Sequence, residues 1–134
     1  DDGTYTVGLQ VTDDDNGVST ATASVTVTNV SPIADAGGPY SGQKNSQLAV
    51  SGAGSNDPDG TISLYQWDCD ATDGVNLSAG SSAPSASCTY TAVGTYTVTL
   101  QVTDDDGAVV VPPNATLVFE MTLCAVGKKE RPQS

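Results

Sequence analysis

Residues 3–15 read GTYTVGLQVTDDD and residues 94–106 read GTYTVTLQVTDDD, one segment written twice 91 positions apart (94 − 3) with a single change, Gly8 against Thr99. A period of that length is the size of a domain, which marks the chain as part of a tandem array. Its 134 residues hold one full period and a remainder, so one complete unit is expected behind the tail of another. The repeated segment also declares its own local structure. Residues 95–103 alternate strictly, with Tyr96, Val98, Leu100 and Val102 on one face and Thr95, Thr97, Thr99, Gln101 and Thr103 on the other, the period-two pattern of a half-buried strand. The first copy, with Tyr5, Val7, Leu9 and Val11 on one face and Tyr5 read as inward, runs through Asp13-Asp14-Asp15-Asn16-Gly17 into a second alternating run over residues 18–28, and without its sandwich partners this strand pair is expected to expose an apolar face. That turn and spacing predict a hairpin.

Asn29-Val30-Ser31-Pro32 breaks the alternation. Pro32 biases Ser31 toward extended geometry, as a short linker requires. Residues 1–29 are therefore read as the C-terminal strand pair of a preceding, truncated repeat, residues 30–123 as the complete sandwich, and residues 124–134 as a polar tail expected to be disordered. Within the complete unit, strands are expected over residues 33–36, 47–51, 62–69, 88–91 and 95–103, divided by turns rich in Gly, Pro, Asn and Asp. Short strands of this kind indicate an all-β, antiparallel sandwich. Pro112-Pro113 interrupts the last strand, which is expected to be an edge or a bulge.

Acidic residues number 16 against 4 basic ones, and Lys44 is the only cation before residue 128. Without a basic stripe to neutralise phosphates, nucleic acid is excluded as a partner. The longest apolar stretches, residues 108–111 and 115–119, fall far short of the roughly 20 residues of a spanning helix, so no membrane insertion by this segment is expected. The chain starts in mid-repeat with no leader, and any signal peptide is expected upstream. Catalysis is disfavoured: there is no His, Glu occurs only at positions 120 and 130, and no base adjoins the cysteines or serines to activate them.

These residues resemble a PKD (polycystic kidney disease) domain. The resemblance rests on Pro32-Ile33-Ala34-Asp35-Ala36-Gly37-Gly38, on Ser55-Asn56-Asp57-Pro58-Asp59-Gly60, on Tyr65-Gln66-Trp67-Asp68, and on Tyr90-Thr91-Ala92-Val93-Gly94-Thr95-Tyr96 leading into TVTLQVTDDDG. It implies an immunoglobulin-like β-sandwich of the kind widespread in extracellular and cell-surface proteins. One departure stands out: where the family runs Trp-Asp-Phe-Gly-Asp-Gly, this chain has Trp67-Asp68-Cys69-Asp70-Ala71-Thr72-Asp73-Gly74, which replaces the aromatic and lengthens the turn.

Such a topology places the strand carrying Cys69, two residues after the inward Trp67, beside the strand carrying Cys88, two residues before Tyr90. A Cys69–Cys88 disulfide and a pair of reduced core cysteines are both open readings, with Cys124 left unpartnered. The same topology gathers Asn29, the Asp57-Pro58-Asp59-Gly60 loop and the Asp104-Asp105-Asp106-Gly107 turn at one pole. Some PKD-like domains bind calcium there, and the resemblance carries that site to Asn29, Asp57 and Asp59, with Asp104 or Asp105 as a further ligand, an oxygen-only set that suits Ca²⁺. The competing reading is ordinary acidic turn chemistry that caps strands and keeps edges soluble. Residues 68–74 faintly echo an EF-hand loop, without the Glu that would close it.

Tyr40, Tyr65 and Phe119 are the aromatics expected on display for a carbohydrate or fibre. The Asn29, Asn76 and Asn114 sequons are compatible with a glycosylated surface protein. The expected role is a non-enzymatic extracellular repeat module, a spacer and a site of protein contact or cell adhesion. Its partners would be neighbouring repeats, other surface proteins or extracellular polymers. The alternative is an accessory substrate-binding domain of a secreted hydrolase.

Overall fold

A computed structural model describes residues 2–111 and, for the backbone, 115–119. The expectations for Pro112-Pro113, Asn114, the Phe119 side chain, Cys124 and the tail lie outside these residues. The strands are β1 (Gly3–Thr12), β2 (Val18–Val27), β3 (Gln47–Ser51), β4 (Ile62–Asp68), β5 (Ser85–Thr89), β6 (Gly94–Asp104), β7 (Val109–Val110) and β8 (Ala115–Phe119), with a 3-10 turn at Ala71–Asp73. Among the described residues no helix is long and apolar enough to cross a membrane.

β1 and β2 pair antiparallel from Gly3 opposite Val27 to Thr12 opposite Val18. The 91-residue repeat holds in three dimensions. Val11 faces Ser19 and Thr12 faces Val18 in the first copy; 91 residues later Val102 faces Val110 and Thr103 faces Val109. Both turns close alike: the Asp13 N–H donates to Gly17 O at 2.9 Å and the Asp104 N–H to Ala108 O at 3.0 Å. Equivalent positions Asn16 and Gly107 both take positive φ, 67° and 91°, a conformation open to Asn and Gly at small cost. The copies then diverge. Val7 faces Ala23 but Val98 faces Ala115, so five positions from Val110 to Ala115 answer four from Val102 to Val98.

The complete unit has two layers. β3 and β5 form one sheet; β4, β6 and β7 form the other, with β8 also paired to β6. Between them lie Val50 of β3, Cys88 of β5, Trp67 of β4, and Val98, Leu100 and Val102 of β6, joined by Ala36 and Tyr90. The alternation read from residues 95–103 thus delivers its apolar face to the core. Cys69 and Cys88 are joined in a disulfide with Cα atoms 5.7 Å apart, tying the end of β4 to the opposite sheet. The Tyr90 hydroxyl donates to Cys69 O at 2.6 Å, and burial pushes its phenol up to about 12, so it stays a donor at neutral pH.

Four local expectations are corrected. Residues 33–36 form no strand; Ile33 makes a single bridge to Asn56, because Pro32 precedes it and the positive-φ pair Gly37-Gly38 follows closely. Tyr5, expected inward, is exposed, since the sheet that covers its counterpart in the second copy has no equivalent over β1. Tyr40 and Tyr65 are half-buried against the core rather than displayed; the Tyr40 hydroxyl donates to Ala36 O at 2.7 Å and accepts from the Ser51 N–H at 3.0 Å. Thr99, on the face patterned for solvent, is only 1% exposed.

Thr99 is covered because the lengthened turn after Trp67 folds back. Asp68, opposite Thr99, accepts from the Asp70 N–H at 2.9 Å and the Asn76 N–H at 2.7 Å, and the 3-10 turn lies against β6. Asp70 caps that turn through the Thr72 N–H. These carboxylates are spent on their own backbone, so the EF-hand echo is loop capping.

Candidate functional site at the acidic pole

Asp104 ends β6 with its carboxylate 1% exposed. Oδ1 accepts from the Ala108 N–H at 2.7 Å, the same turn closure that Asp13 Oδ1 makes with Gly17 at 2.6 Å. Oδ2 accepts from Asn29 Nδ2 at 2.8 Å, so a residue fixed by the hairpin turn reaches the linker between hairpin and sandwich. A carboxylate can only accept, hence the amide N–H of Asn29 must face it and Oδ1 of Asn29 must face away.

The Asn29 hydrogen bond, together with backbone N–H groups of Ala108, Gly107 and Asp106, holds the Asp104 carboxyl below its ordinary value of 3.8 against the opposing effect of burial. Stability contributed by this group is complete above the ordinary value and is lost as the pH falls through its lower folded value. With chelator present, Asp104→Asn is expected to flatten the acid limb of the stability curve below about pH 4. Chemical denaturation across pH 2–6 checks this; an unchanged slope would contradict the assignment.

A second loop grips the next linker residue. Asp59 Oδ2 accepts from the Val30 N–H at 2.9 Å. Beside it, Asp105 and Thr61 exchange two bonds, Thr61 N–H to Asp105 Oδ1 and Asp105 N–H to Thr61 O, each 2.9 Å. Gly60 lies beneath two carboxylates: a Cβ there would fall 2.8 Å from Asp57 Oδ2 and closer still to Asp105 Oδ1. Asp57 and Asp105 therefore converge over a position that only glycine fills without displacing them.

Three buried oxygens at this pole satisfy no hydrogen-bond geometry: Asn29 Oδ1 and both carboxylate oxygens of Asp57. Burial, reinforced by the charges of Asp59 and Asp104, raises the Asp57 pKa from its ordinary value; the nearby Asp59 backbone N–H offsets part of the rise. Asp106 is likewise raised from its ordinary value, by burial and then by the charges of Asp2 and Asp105. Among the described residues no three His, Cys, Asp or Glu side chains are gathered as a metal's ligands would be.

Of the five residues expected to meet here, Asn29 meets Asp104, Asp59 meets the linker backbone, and Asp57 and Asp105 both approach Gly60, as separate contacts rather than one ligand cluster. What sequence reasoning missed is the backbone. The Val30 and Thr61 N–H groups hold two of the carboxylates, and a main-chain donor carries no residue-type signal.

Three comparisons bear on this geometry. The PKD domain family model matches residues 29–119, a span of one repeat period (119 − 29 + 1 = 91). Among solved structures, one of carbohydrate-binding modules from the β-sandwich superfamily aligns at a TM-score of 0.57 and 29% identity, covering 69% of this chain and 36% of that one. The fibronectin(III)-like modules of Clostridium thermocellum CbhA align at 0.57 and 19% identity, covering 89% and 63%, a likeness of fold. The PKD1 domain of Vibrio anguillarum Epp aligns at 0.48 and 26% identity, over 69% of this chain and all of that one. The chain thus spans about a third of the first of these structures.

Proposed function

Because the chain belongs to the PKD domain family, we propose that it is a non-enzymatic spacer module of an extracellular repeat protein, whose acidic pole stiffens the joint between consecutive units. The observation that carries this reading is the double grip on the linker: two separate loops of the complete unit bind adjacent residues, Asn29 through Asp104 and Val30 through Asp59. A linker that only needed to span would leave those groups to water. The extracellular or cell-surface location is supported by the Cys69–Cys88 disulfide, a bond that persists in oxidising compartments. Contacts to other surface proteins or polymers, and hence adhesion, follow from repetition, which multiplies valency.

Calcium is the ion we assign to this pole. The fit rests on the orphaned oxygens: Asn29 Oδ1 and the Asp57 carboxylate are buried, unpartnered and hard-oxygen in kind, as Ca²⁺ requires. Asp59 and Asp104 or Asp105 would complete the set, with the Asn29 carbonyl taking part because the carboxylates alone do not form a cage. Bound Ca²⁺ would neutralise the crowded carboxylates and lock linker to loop.

Thermal unfolding in millimolar Ca²⁺ against chelator is expected to show a higher midpoint with Ca²⁺, together with protection of residues 28–32 from proteolysis. Asp57→Asn should abolish both effects while raising the midpoint in chelator, since it removes a buried unpaired charge. Identical curves with and without Ca²⁺ would reduce the pole to solvated turns.

The substrate-binding alternative has one supporting observation, the 29% identity to carbohydrate-binding modules. Against it, Tyr40, Tyr65 and Tyr96 pack on the core, and Tyr5 is the one large exposed aromatic among the described residues. No retention on insoluble polysaccharide is expected.

A further inference from the structure

The lengthened turn after Trp67, where this chain departs from the family pattern, carries an Asn-x-Ser triplet, Asn76-Leu77-Ser78. Its main chain is anchored on β4 at both ends of the triplet. The Asn76 N–H donates to Asp68 Oδ2 at 2.7 Å, the Ser78 N–H donates to Trp67 O at 2.8 Å, and the Trp67 N–H donates to Ser78 Oγ at 3.0 Å. Further along, Tyr65 and Ser81 exchange two backbone bonds, at 2.8 and 2.9 Å, and the Cys69–Cys88 disulfide closes the ring that contains the whole segment. This anchoring uses the main chain of Asn76 and leaves its side chain on the outside. Asn76 and Ser78 are both exposed, and Asn76 Nδ2 donates within its own loop, to Gly74 O at 3.2 Å and Asp73 Oδ1 at 3.3 Å. Val75, just before it, is 61% exposed.

From this we infer that Asn76 is an N-glycosylation site, where the sandwich carries a bulky polar sugar chain without disturbing a packed contact. In that reaction Nδ2 attacks the anomeric carbon of an oligosaccharide held by a lipid pyrophosphate. The bond from Nδ2 to that carbon forms, the bond from the carbon to the phosphate oxygen breaks, the lipid pyrophosphate leaves with the electron pair, and Nδ2 gives up one of its two protons. The remaining N–H still serves Gly74 O or Asp73 Oδ1. The fold therefore loses one long, exposed hydrogen bond and keeps every contact that holds the turn. The Asn29-Val30-Ser31 triplet has the opposite surroundings. Its Nδ2 donates to Asp104 Oδ2 at 2.8 Å, Asp104 is 1% exposed, and Asn29 Oδ1 is buried, so a sugar there would part the linker from the pole. The inference rests on the extracellular location proposed above, with the disulfide as its common support, and is independent of calcium. A sugar on Asn76 also screens Val75 from other molecules.

The test directs the full chain into the secretory pathway of a cell that performs N-glycosylation. Enzymatic release of glycans in heavy-oxygen water converts each formerly glycosylated Asn to a heavy-oxygen Asp, and peptide mass spectrometry is expected to find that label at Asn76 and not at Asn29. Asn76→Gln should remove the label, whereas Ser78→Thr, which keeps the hydroxyl of the triplet, should retain it. The Asn76 amide, held by Asp68 Oδ2, is expected to exchange its hydrogen at the same rate with the glycan attached as in Asn76→Gln. An unmodified Asn76 in secreted chains whose Cys69–Cys88 bond has formed would overturn the inference while leaving the extracellular location standing. So would a glycan at Asn29 in place of Asn76, or faster exchange throughout the turn in the glycosylated chain, since the fold would then not accommodate the sugar.

Discussion

Leu100→Ala is expected to destabilise the complete unit by about 3 kcal/mol, while Leu9→Ala, the same change in nearly the same sequence, costs less than about 0.5 kcal/mol. Leu100 is fully enclosed between the two sheets, with Trp67 directly opposite on β4. Truncating it loses the transfer free energy of its methyl groups and leaves a cavity that two sheets held by a disulfide cannot collapse around. Leu9 is more exposed than buried, so its truncation removes little from contact with anything. For a small domain, 3 kcal/mol is a large share of the total stability and lowers the melting midpoint by roughly 15 °C. The pair is closely controlled, because the flanking sequence is the same at both sites except for the preceding residue, Gly8 against Thr99. Equal effects at the two positions would mean that the hairpin is part of the folding unit and that its face is covered.

Removal of the disulfide ranks with it. Cys69 and Cys88 are 19 residues apart, and closing a loop of that length restricts the unfolded chain by about 3 kcal/mol on the loop-entropy model. The double change Cys69→Ala with Cys88→Ala is the proper measurement, since it removes the bond without leaving one thiol stranded in the core. Most of the loss should appear as a lower denaturation midpoint. Part should appear locally, because the ring encloses the lengthened turn that covers Thr99, and the Asn76 amide, held by Asp68 Oδ2, should exchange faster. A midpoint unchanged by the double change would show that the turn and the Tyr90 hydrogen bond to Cys69 O hold this corner without the bond.

How much of this was legible beforehand depended on which forces wrote each feature. β6 was plain, because period-two alternation is set by side-chain transfer energy alone, and its inward residues were named individually. The repeat made the hairpin equally plain. The strand expected at residues 33–36 failed because backbone demands at Pro32 and Gly37-Gly38 outweigh four residues of weak pattern. Thr99 was read as solvent-facing, correctly as to its side of the sheet; the cover over it comes from a turn whose fold is decided by Asp68 and Asp70 capping N–H groups two to eight residues along. At the acidic pole the residue types were legible from the resemblance, and topology brings Asn29 to Asp104 and the Asp59 loop to the linker. The grip on Val30 was not, since nothing in the identity of a valine announces that its N–H will be held by Asp59. Tyr5 marks a further limit: the pattern states which face is apolar, but not whether a partner is present to cover it.

If the acidic pole stiffens the joint as proposed, the bonds that hold Asn29 and Val30 make hairpin and sandwich move as one body. Backbone ¹⁵N relaxation of the whole chain in Ca²⁺ tests it most directly. The expected result is a rigid linker, with order parameters near about 0.85 across residues 28–31, a common rotational diffusion tensor for β2 and β6, and loss of both in the double variant Asp59→Ala with Asp104→Ala. Order parameters below about 0.6 in the linker, with hairpin and sandwich tumbling separately, would mean that the acidic pole does not stiffen the joint.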